Sequence, residues 1–175
     1  ARERGWRLAN GDRQLTDAEM AADGTWLAFA WDDGSFEIRG TDSGEVLQRD
    51  QFPDPVREME RLPRRSQLFL VLGDREVATW DDGIVSSAVL PDSIVATDLS
   101  ANGQRLAVSQ PNGDIHVLNT DGLSFAGKVS MPLRSPDLFD LNVDGTRVVA
   151  GKSGDRLIGT GIIGMESPRM FVLPQ

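Results

Sequence analysis

The stretch AADGTWLAFAWDDGSFEIRGTDSG, residues 21–44, contains two short apolar segments, each placed between tight-turn signals. One Asp-Gly pair precedes the first segment and another separates it from the second, and Asp-Gly is favoured in the turns that join antiparallel strands. In the second segment Phe36 and Ile38 alternate with Glu37, which is the spacing of a half-buried strand. The stretch therefore predicts two paired strands with a turn before and after them.

The same pattern recurs three more times along the chain. Residues 98–122 and 140–161 repeat it closely, and residues 58–83 hold a weaker copy. The turns that precede the second strands are 41, 38 and 42 residues apart, counted at Gly24, Arg65, Gly103 and Gly145. A period near 40 residues is typical of stacked supersecondary units. Because Arg65 stands where the other units have glycine, we expect a different turn geometry there.

Each repeat has room for four strands, and the predicted units span residues 15–49, 56–90, 94–130 and 138–173. Four short antiparallel strands joined by Asp-Gly or Asn-Gly turns make one propeller blade. The sequence therefore predicts an all-β fold, a β-propeller-type array of about four four-stranded antiparallel blades in a single domain. The second strands, at 25–31, 67–72, 105–109 and 146–151, are more continuously apolar than the others, so we expect them to be covered on both faces.

The first predicted strand has a helical alternative. Thr16 and Glu19 form a capping-box pattern ahead of apolar residues, as at the start of a helix. The strand interpretation is preferred because the aligned segments at 95–100 and 138–142 do not have a helical pattern.

The repeats resemble the WD-repeat propeller family. Residues 21–47 look like the turn–strand–turn–strand core of that family, and ATWDDG (78–83) keeps the Trp-Asp pair, Trp80 and Asp81, at the usual end of the third strand. The family's Gly-His pair is missing from every unit, and His116 lies in the middle of a strand segment. Residues 23–38 are equally similar to bacterial TolB-type propeller repeats. The resemblance implies a propeller fold and a role in protein binding.

Four units are fewer than most members of that family have, although propellers of four to eight blades exist. Residues 1–14 include GWRLA (5–9), which we interpret as an outer strand of a preceding blade. Three arrangements stay open: a closed four-bladed ring, part of a larger ring, or association of copies into an eight-bladed ring. The last two are preferred, because terminal blades without neighbours would expose apolar faces near Trp6 and Phe171.

Composition excludes several classes of partner and site. The 175 residues carry a formal net charge of −9, which argues against nucleic acid because phosphate binding needs a basic surface. The arginines between residues 56 and 67 are interpreted as a solvated strand and turn rather than an anion site. The chain has no cysteine, so it has neither disulfides nor thiolate metal sites. No apolar run reaches the roughly 20 residues that span a bilayer, so we expect no membrane insertion by this segment.

No residue pattern predicts catalysis, a cofactor or a metal. His116 is the only histidine, and a mid-strand position suits a general base poorly. The Asp-Gly sequences at 32–34, 81–83 and 121–122 lack the spacing of a calcium loop and are interpreted as turns. GTGIIG (159–164) is not followed by an amphipathic helix, so we interpret it as a strand edge and turn rather than a nucleotide loop. The chain is therefore predicted not to be an enzyme.

What remains is a binding surface made of loops. In a propeller the loops between second and third strands share a face with the connectors between blades; here the loops are 31–34, 72–75, 109–113 and 151–154, and the connectors are 50–55, 90–93 and 130–137. The predicted partner-binding residues are the anchors Trp31, Phe52 and Arg134 and the polar rim Asp32, Asp33 and Arg75. Alternatively, Trp31 and Phe52 seal contacts between blades.

Two functions follow from these observations. The first is a non-catalytic scaffold for protein–protein interaction. The alternative is a soluble extramembrane domain, periplasmic or cytoplasmic, excised from a bacterial membrane transporter or sensor, which the opening ARERGW without methionine suggests. Apolar spans of about 20 residues beside this segment in its gene would identify the membrane case.

Overall fold

The structure is a computed structural model that describes residues 6–8, 11–62, 67–155, 157–164 and 167–172. The described residues form sixteen strands and no helix. The strands make four separate four-stranded sheets, in each of which the strands lie side by side in chain order. Antiparallel pairing is recorded in every one of the four sheets.

The strand bounds follow the predicted repeats. Sheet 1 consists of β1 (Leu15–Met20), β2 (Trp26–Trp31), β3 (Ser35–Gly40) and β4 (Val46–Gln51). Sheet 2 consists of β5 (Val56–Arg61), β6 (Leu68–Leu72), β7 (Glu76–Trp80) and β8 (Ile84–Val89). Sheet 3 consists of β9 (Ala96–Leu99), β10 (Arg105–Ser109), β11 (Asp114–Asn119) and β12 (Phe125–Ser130). Sheet 4 consists of β13 (Leu138–Leu141), β14 (Arg147–Gly151), β15 (Leu157–Ile162) and β16 (Arg169–Val172).

The predicted fold class is confirmed. The segment with the capping-box pattern is strand β1, because its backbone pairs with β2 instead of forming helical hydrogen bonds. The glycines of GTGIIG lie in strand β15 and in the turn that follows it. Arg65 and its neighbours 63–66 lie outside the described residues, as do parts of the segment 1–14. The described residues of that segment, 6–8 and 11–14, contain no strand.

The chain divides into two compact units, one of residues 1–73 and 77–85 and the other of residues 74–76 and 86–175. In the first unit, a face of sheet 1 packs on a face of sheet 2. Ala30 and Phe36 of sheet 1 and Leu70 of sheet 2 are fully buried in this core. Apolar contact between two sheet faces therefore stabilises the first unit.

In the second unit, a face of sheet 3 packs on a face of sheet 4. Ala107, Val117 and Val129 meet Val148 and other apolar residues of sheet 4. The sheets approach closely because β15 carries glycine at the contact. A Cβ atom at Gly161 would stand 2.5 Å from a methyl carbon of Val129, so a side chain there would push the sheets apart.

Strand β14 differs from the prediction that all second strands are covered on both faces. Val148 and Ala150 are buried against sheet 3, but Val149 points to the other face and is 39% exposed. The prediction is wrong for this strand because an apolar sequence alone does not bring a second sheet to it. The last strands of the sheets, which lie at sheet edges, also expose apolar side chains, including Leu47, Val89, Phe125 and Val172.

Candidate interaction surface

In the first unit, the connector after sheet 1 lies against the loop between β2 and β3. The backbone N–H of Phe52 donates to the carbonyl of Gly34 at 2.9 Å. The side-chain amide of Gln51 donates to the carbonyl of Asp33 at 2.8 Å. The far end of the same connector accepts a hydrogen bond at Pro55 from Gly73, in the β6–β7 loop, at 2.9 Å. These bonds join loop 31–34, connector 50–55 and the start of loop 72–75.

The second unit repeats this arrangement. The N–H of Met131 donates to the carbonyl of Gly113 at 2.9 Å, and the N–H of Ser135 donates to that of Pro111 at 3.1 Å. These bonds fix connector 130–137 beside loop 109–113. The N–H of Ser153 donates to Oδ1 of Asp137 at 2.6 Å, which brings loop 151–154 to the other side of the connector. Connector 90–93 joins the group through Gln110, whose side-chain amide donates to the carbonyl of Asp92 at 2.7 Å.

Glycine makes the close approach of these connectors sterically possible. Gly34 and Gly113 have φ values of +81° and +91°, a region that other residues rarely adopt. A Cβ atom at Gly113 would collide with the carbonyl oxygens of Met131 and Leu133, and one at Gly34 would collide with that of Phe52. The repeated glycine thus allows both the positive φ of the turn and the close packing of the connector over it.

The two predicted aromatic anchors lie in the interior. Trp31 has no exposed surface, and the Arg13 guanidinium lies over its ring at 4.3 Å from the centroid. Phe52 is 7% exposed, with its ring centroid 5.7 Å from that of Phe36. Phe52 packs in the core between sheets 1 and 2, as the alternative interpretation has it, whereas Trp31 lies on the other face of sheet 1 beside Phe29 and Arg13.

The four charged residues of the predicted surface are exposed, two in each unit. Asp32 and Asp33 belong to the first unit, and Arg75 and Arg134 belong to the second. The Asp32 carboxylate accepts a hydrogen bond from the backbone N–H of Gln14 at 3.0 Å. Hydrogen bonds from the hydroxyl and backbone N–H of Ser35 hold the pKa of Asp33 below its usual value. Both carboxylates are thereby fixed in position at the surface.

The same local geometry occurs at other Asp-Gly turns. Asp23 and Asp144 each accept hydrogen bonds from the hydroxyl and the backbone N–H of the threonine two residues later. These bonds lower the pKa of both carboxyl groups. These carboxylates thus stabilise the backbone of their own turns. In the part of the chain that the structure describes, no group of three or more His, Asp or Glu side chains is arranged to hold a metal ion.

His116 lies half-buried on β11, beside the ring of Phe125 at a centroid distance of 5.9 Å. Its Nε2 atom is buried and has no hydrogen-bond partner. Burial lowers the pKa of the imidazole, which the Asp114 carboxylate raises and the Lys128 ammonium lowers again. The neutral ring is therefore the form that the folded chain prefers.

Sequence reasoning missed the partner of Trp80. The indole Nε1 of Trp80 donates to Oδ2 of Asp50 at 3.0 Å, and its ring meets Phe36 at a centroid distance of 5.0 Å. Asp50 lies at the end of β4 in sheet 1, so this tryptophan ties sheet 2 to sheet 1 within the first unit. The Trp-Asp pair gives no sign of this contact, because the acceptor lies 30 residues earlier in the chain.

Among the described residues, no helix is long and apolar enough to cross a membrane. No family model matches the chain, and no curated protein matches it.

The chain is similar to a solved β-propeller. This is the crystal structure of the β-propeller domain of Cps50 (Swd1) from Myceliophteria thermophila, with a TM-score of 0.63 at 17% sequence identity. The match covers 85% of this chain but 51% of that one, so the chain spans about half the length of the solved propeller. At this level of identity the likeness establishes the fold alone, and that fold is a β-propeller array.

Proposed function

We propose that the chain is a non-catalytic propeller scaffold that binds a protein partner through its loops and connectors. The observation that carries the proposal is the pair of backbone hydrogen bonds Phe52 to Gly34 and Met131 to Gly113. In each unit this bond fixes a connector beside a loop and leaves the charged residues of the loops exposed. Within each unit the loops and their connector are therefore held in place before any partner arrives.

Such order favours binding because little conformational entropy remains to be lost. Prolines at 53, 55, 111, 132 and 136 restrict the same segments further. In this proposal Arg134 and Arg75 contact the partner, since arginine is enriched at protein interfaces, and Asp32 and Asp33 provide specificity. Trp31 and Phe52 support the loops from below. The net charge of −9 favours a protein over a nucleic acid as the partner.

A place in a bacterial membrane transporter or sensor stays a prediction from the sequence. It is compatible with the scaffold role, and the sequence on either side of this segment in its gene tests it directly.

The scaffold proposal is tested by recovering a binding protein on the immobilised chain and then measuring its affinity with purified components. We expect Arg134→Glu to weaken binding by at least about tenfold, because it reverses a charge within the proposed surface. Asp121→Lys is the matched control: it reverses a charge in the β11–β12 turn of the same unit, at the opposite end of the strands. Circular dichroism shows whether both variants fold.

The outcomes separate the two faces. A loss of affinity in Arg134→Glu with normal binding by Asp121→Lys supports the proposed surface. The reverse result would show that the partner binds the opposite turns.

A further inference from the structure

The first strand of every sheet carries an acidic residue at the same position. These residues are Asp17, Glu58, Asp98 and Asp140. Asp17 pairs with Ala30 of β2, Asp98 pairs with Ala107 of β10, and Asp140 pairs with Val149 of β14. Paired residues share one face of a sheet, so in sheets 1, 3 and 4 the acid stands on the face that carries these apolar residues.

In both units this carboxylate binds the backbone of the next sheet. Oδ2 of Asp17 accepts the N–H of Met59 at 2.6 Å, and Oδ2 of Asp98 accepts the N–H of Leu141 at 2.8 Å. The donors lie 42 and 43 residues after the acceptors, which is one repeat. Ala30 and Ala107, beside the acids, have no exposed surface because the next sheet covers them. The two bonds define a repeated sheet-to-sheet contact.

Sheet 4 presents the first half of this contact to solvent. Asp140 is exposed, and no other sheet among the described residues donates to it. The apolar residues of the same face are exposed as well, by 39% to 58% of their surface: Leu138, Val149, Ile162 and Phe171. Two grooves, of about 610 and 410 Å³, run along this face and share Asp140 and Val149 in their walls. A sheet that packs on it would cover both.

Sheet 1 presents the second half. Ala18 follows its acidic residue as Met59 and Leu141 follow theirs, but within the described part of the chain its N–H donates to the side chain of the adjacent Asp17, at 2.8 Å, and not to another sheet. Ala18 is exposed, and Met20 on the same face is 49% exposed. Further out on this face the half-buried ring of Trp6 lies edge-on against Phe29, at a centroid distance of 6.0 Å. The face thus offers an exposed N–H that is bonded only locally, to Asp17, together with exposed apolar residues and an aromatic ring.

We infer that sheet 4 of one molecule binds sheet 1 of a second copy of this chain, with Asp140 accepting the N–H of Ala18 across the contact. The proposed contact repeats the two contacts found within the units. In each of those, the acidic residue of one first strand accepts the equivalent backbone N–H of the next sheet, and the corresponding sheet faces meet. The chain carries both halves of this contact on exposed faces, and a second copy presents the opposite half to each. The two faces differ, so the two molecules of a pair contribute different surfaces to the contact: sheet 4 from one and sheet 1 from the other.

Sedimentation of the 175-residue chain at concentrations from about 1 µM to about 1 mM detects self-association with dissociation constants across that range. We expect reversible self-association. Val149→Lys, which places a charge in the centre of the sheet 4 face, should abolish it. Asp140→Ala should weaken it by about tenfold or more, because the contact loses the carboxylate that accepts the N–H of Ala18 from the other molecule. The matched control is Val143→Lys, since Val143 is a more exposed valine in the β13–β14 turn, and this variant should associate like the unchanged chain.

Mixing two variants that each lack one of the two faces shows whether sheet 4 of one molecule binds sheet 1 of another. Met20→Lys damages the sheet 1 face and Val149→Lys damages the sheet 4 face, so neither should associate alone. Their mixture keeps one intact contact and should form heterodimers. A chain that stays monomeric up to about 1 mM overturns the inference. Normal association by Met20→Lys also overturns it, because sheet 4 would then pair with another surface.

Discussion

The single histidine shows how position on a strand decides the chemistry of one residue. His116 alternates with Ile115 and Val117, and its ring turns towards the side of the sheet where Phe125 lies. The partial burial lowers its pKa, whereas a catalytic base needs access to a substrate and a partner that orients it. His116 therefore packs beside Phe125 in a position that couples its protonation to folding.

This burial predicts a pH dependence of folding. An unfolded histidine titrates near 6.5, and the folded pKa of His116 lies below that value, so the unfolded chain binds a proton more readily. The free energy of unfolding should fall as the pH is lowered from about 7.5 to about 5.5, where histidine is the side chain that titrates. Urea unfolding at both pH values measures the change, and His116→Gln should make it smaller. An imidazole resonance with a midpoint above 6.5 would contradict the prediction.

Among the elements, the turn between second and third strands carries two functions. Gly113 and Gly154 occupy the same position in sheets 3 and 4, with φ values of +91° and +85°. Connector 130–137 packs over Gly113, whereas a Cβ atom at Gly154 would have no neighbour within 4 Å. A substitution at Gly154 therefore tests the effect of backbone conformation alone, whereas one at Gly113 tests backbone conformation and connector packing together.

Alanine at each position measures the two effects. Gly154→Ala should cost about 1 kcal/mol in free energy of unfolding, the strain of a positive φ. Gly113→Ala should cost about 3 kcal/mol or more, because the carbonyls of Met131 and Leu133 must also move. Urea unfolding of both variants gives the comparison. Equal losses would show that the connector yields without cost.

The turns also mark what a sequence can predict. Asp-Gly spacing and alternating apolar residues are local signals, so the strands and their grouping into four sheets follow from them. The contacts of Asp17, Asp98 and Trp80 join residues 30 to 43 positions apart and depend on how one sheet packs on the next. Trp31 ends strand β2 and Phe52 follows strand β4, and at such positions a ring fits either a core or a surface. The contacts that bury them are with Arg13 and Phe29 for Trp31 and with Phe36 for Phe52, and no local signal in the sequence predicts them.

At the scale of the whole molecule, carboxylates are numerous, but those of the described residues form no cluster of three or more that could hold a metal ion. The chain has 27 acidic residues against 18 basic ones, but the turn carboxylates with lowered pKa values already accept hydrogen bonds from neighbouring hydroxyl and amide groups. A metal ion would have to replace those bonds.

Calcium and zinc should therefore raise the melting temperature by no more than about 1 °C, because only a ligand that prefers the folded state stabilises it. Differential scanning calorimetry of the metal-free chain, with and without each ion, measures this. A rise of several degrees at micromolar calcium would indicate a site at the Asp-Gly turns, and Asp144→Asn and Asp33→Asn would then locate it.

The apolar side chains exposed on the last strand of each sheet make the solubility of the protein depend on its net charge. Unpaired strand edges with Leu47, Val89, Phe125 and Val172 can attract one another between molecules, and the excess of negative charge keeps them apart at neutral pH. That repulsion vanishes near the isoelectric point of about 4.6. The protein should therefore be least soluble close to that pH. At neutral pH, added salt should increase the attraction measured by light scattering, since salt screens the repulsion and leaves the apolar edges unchanged.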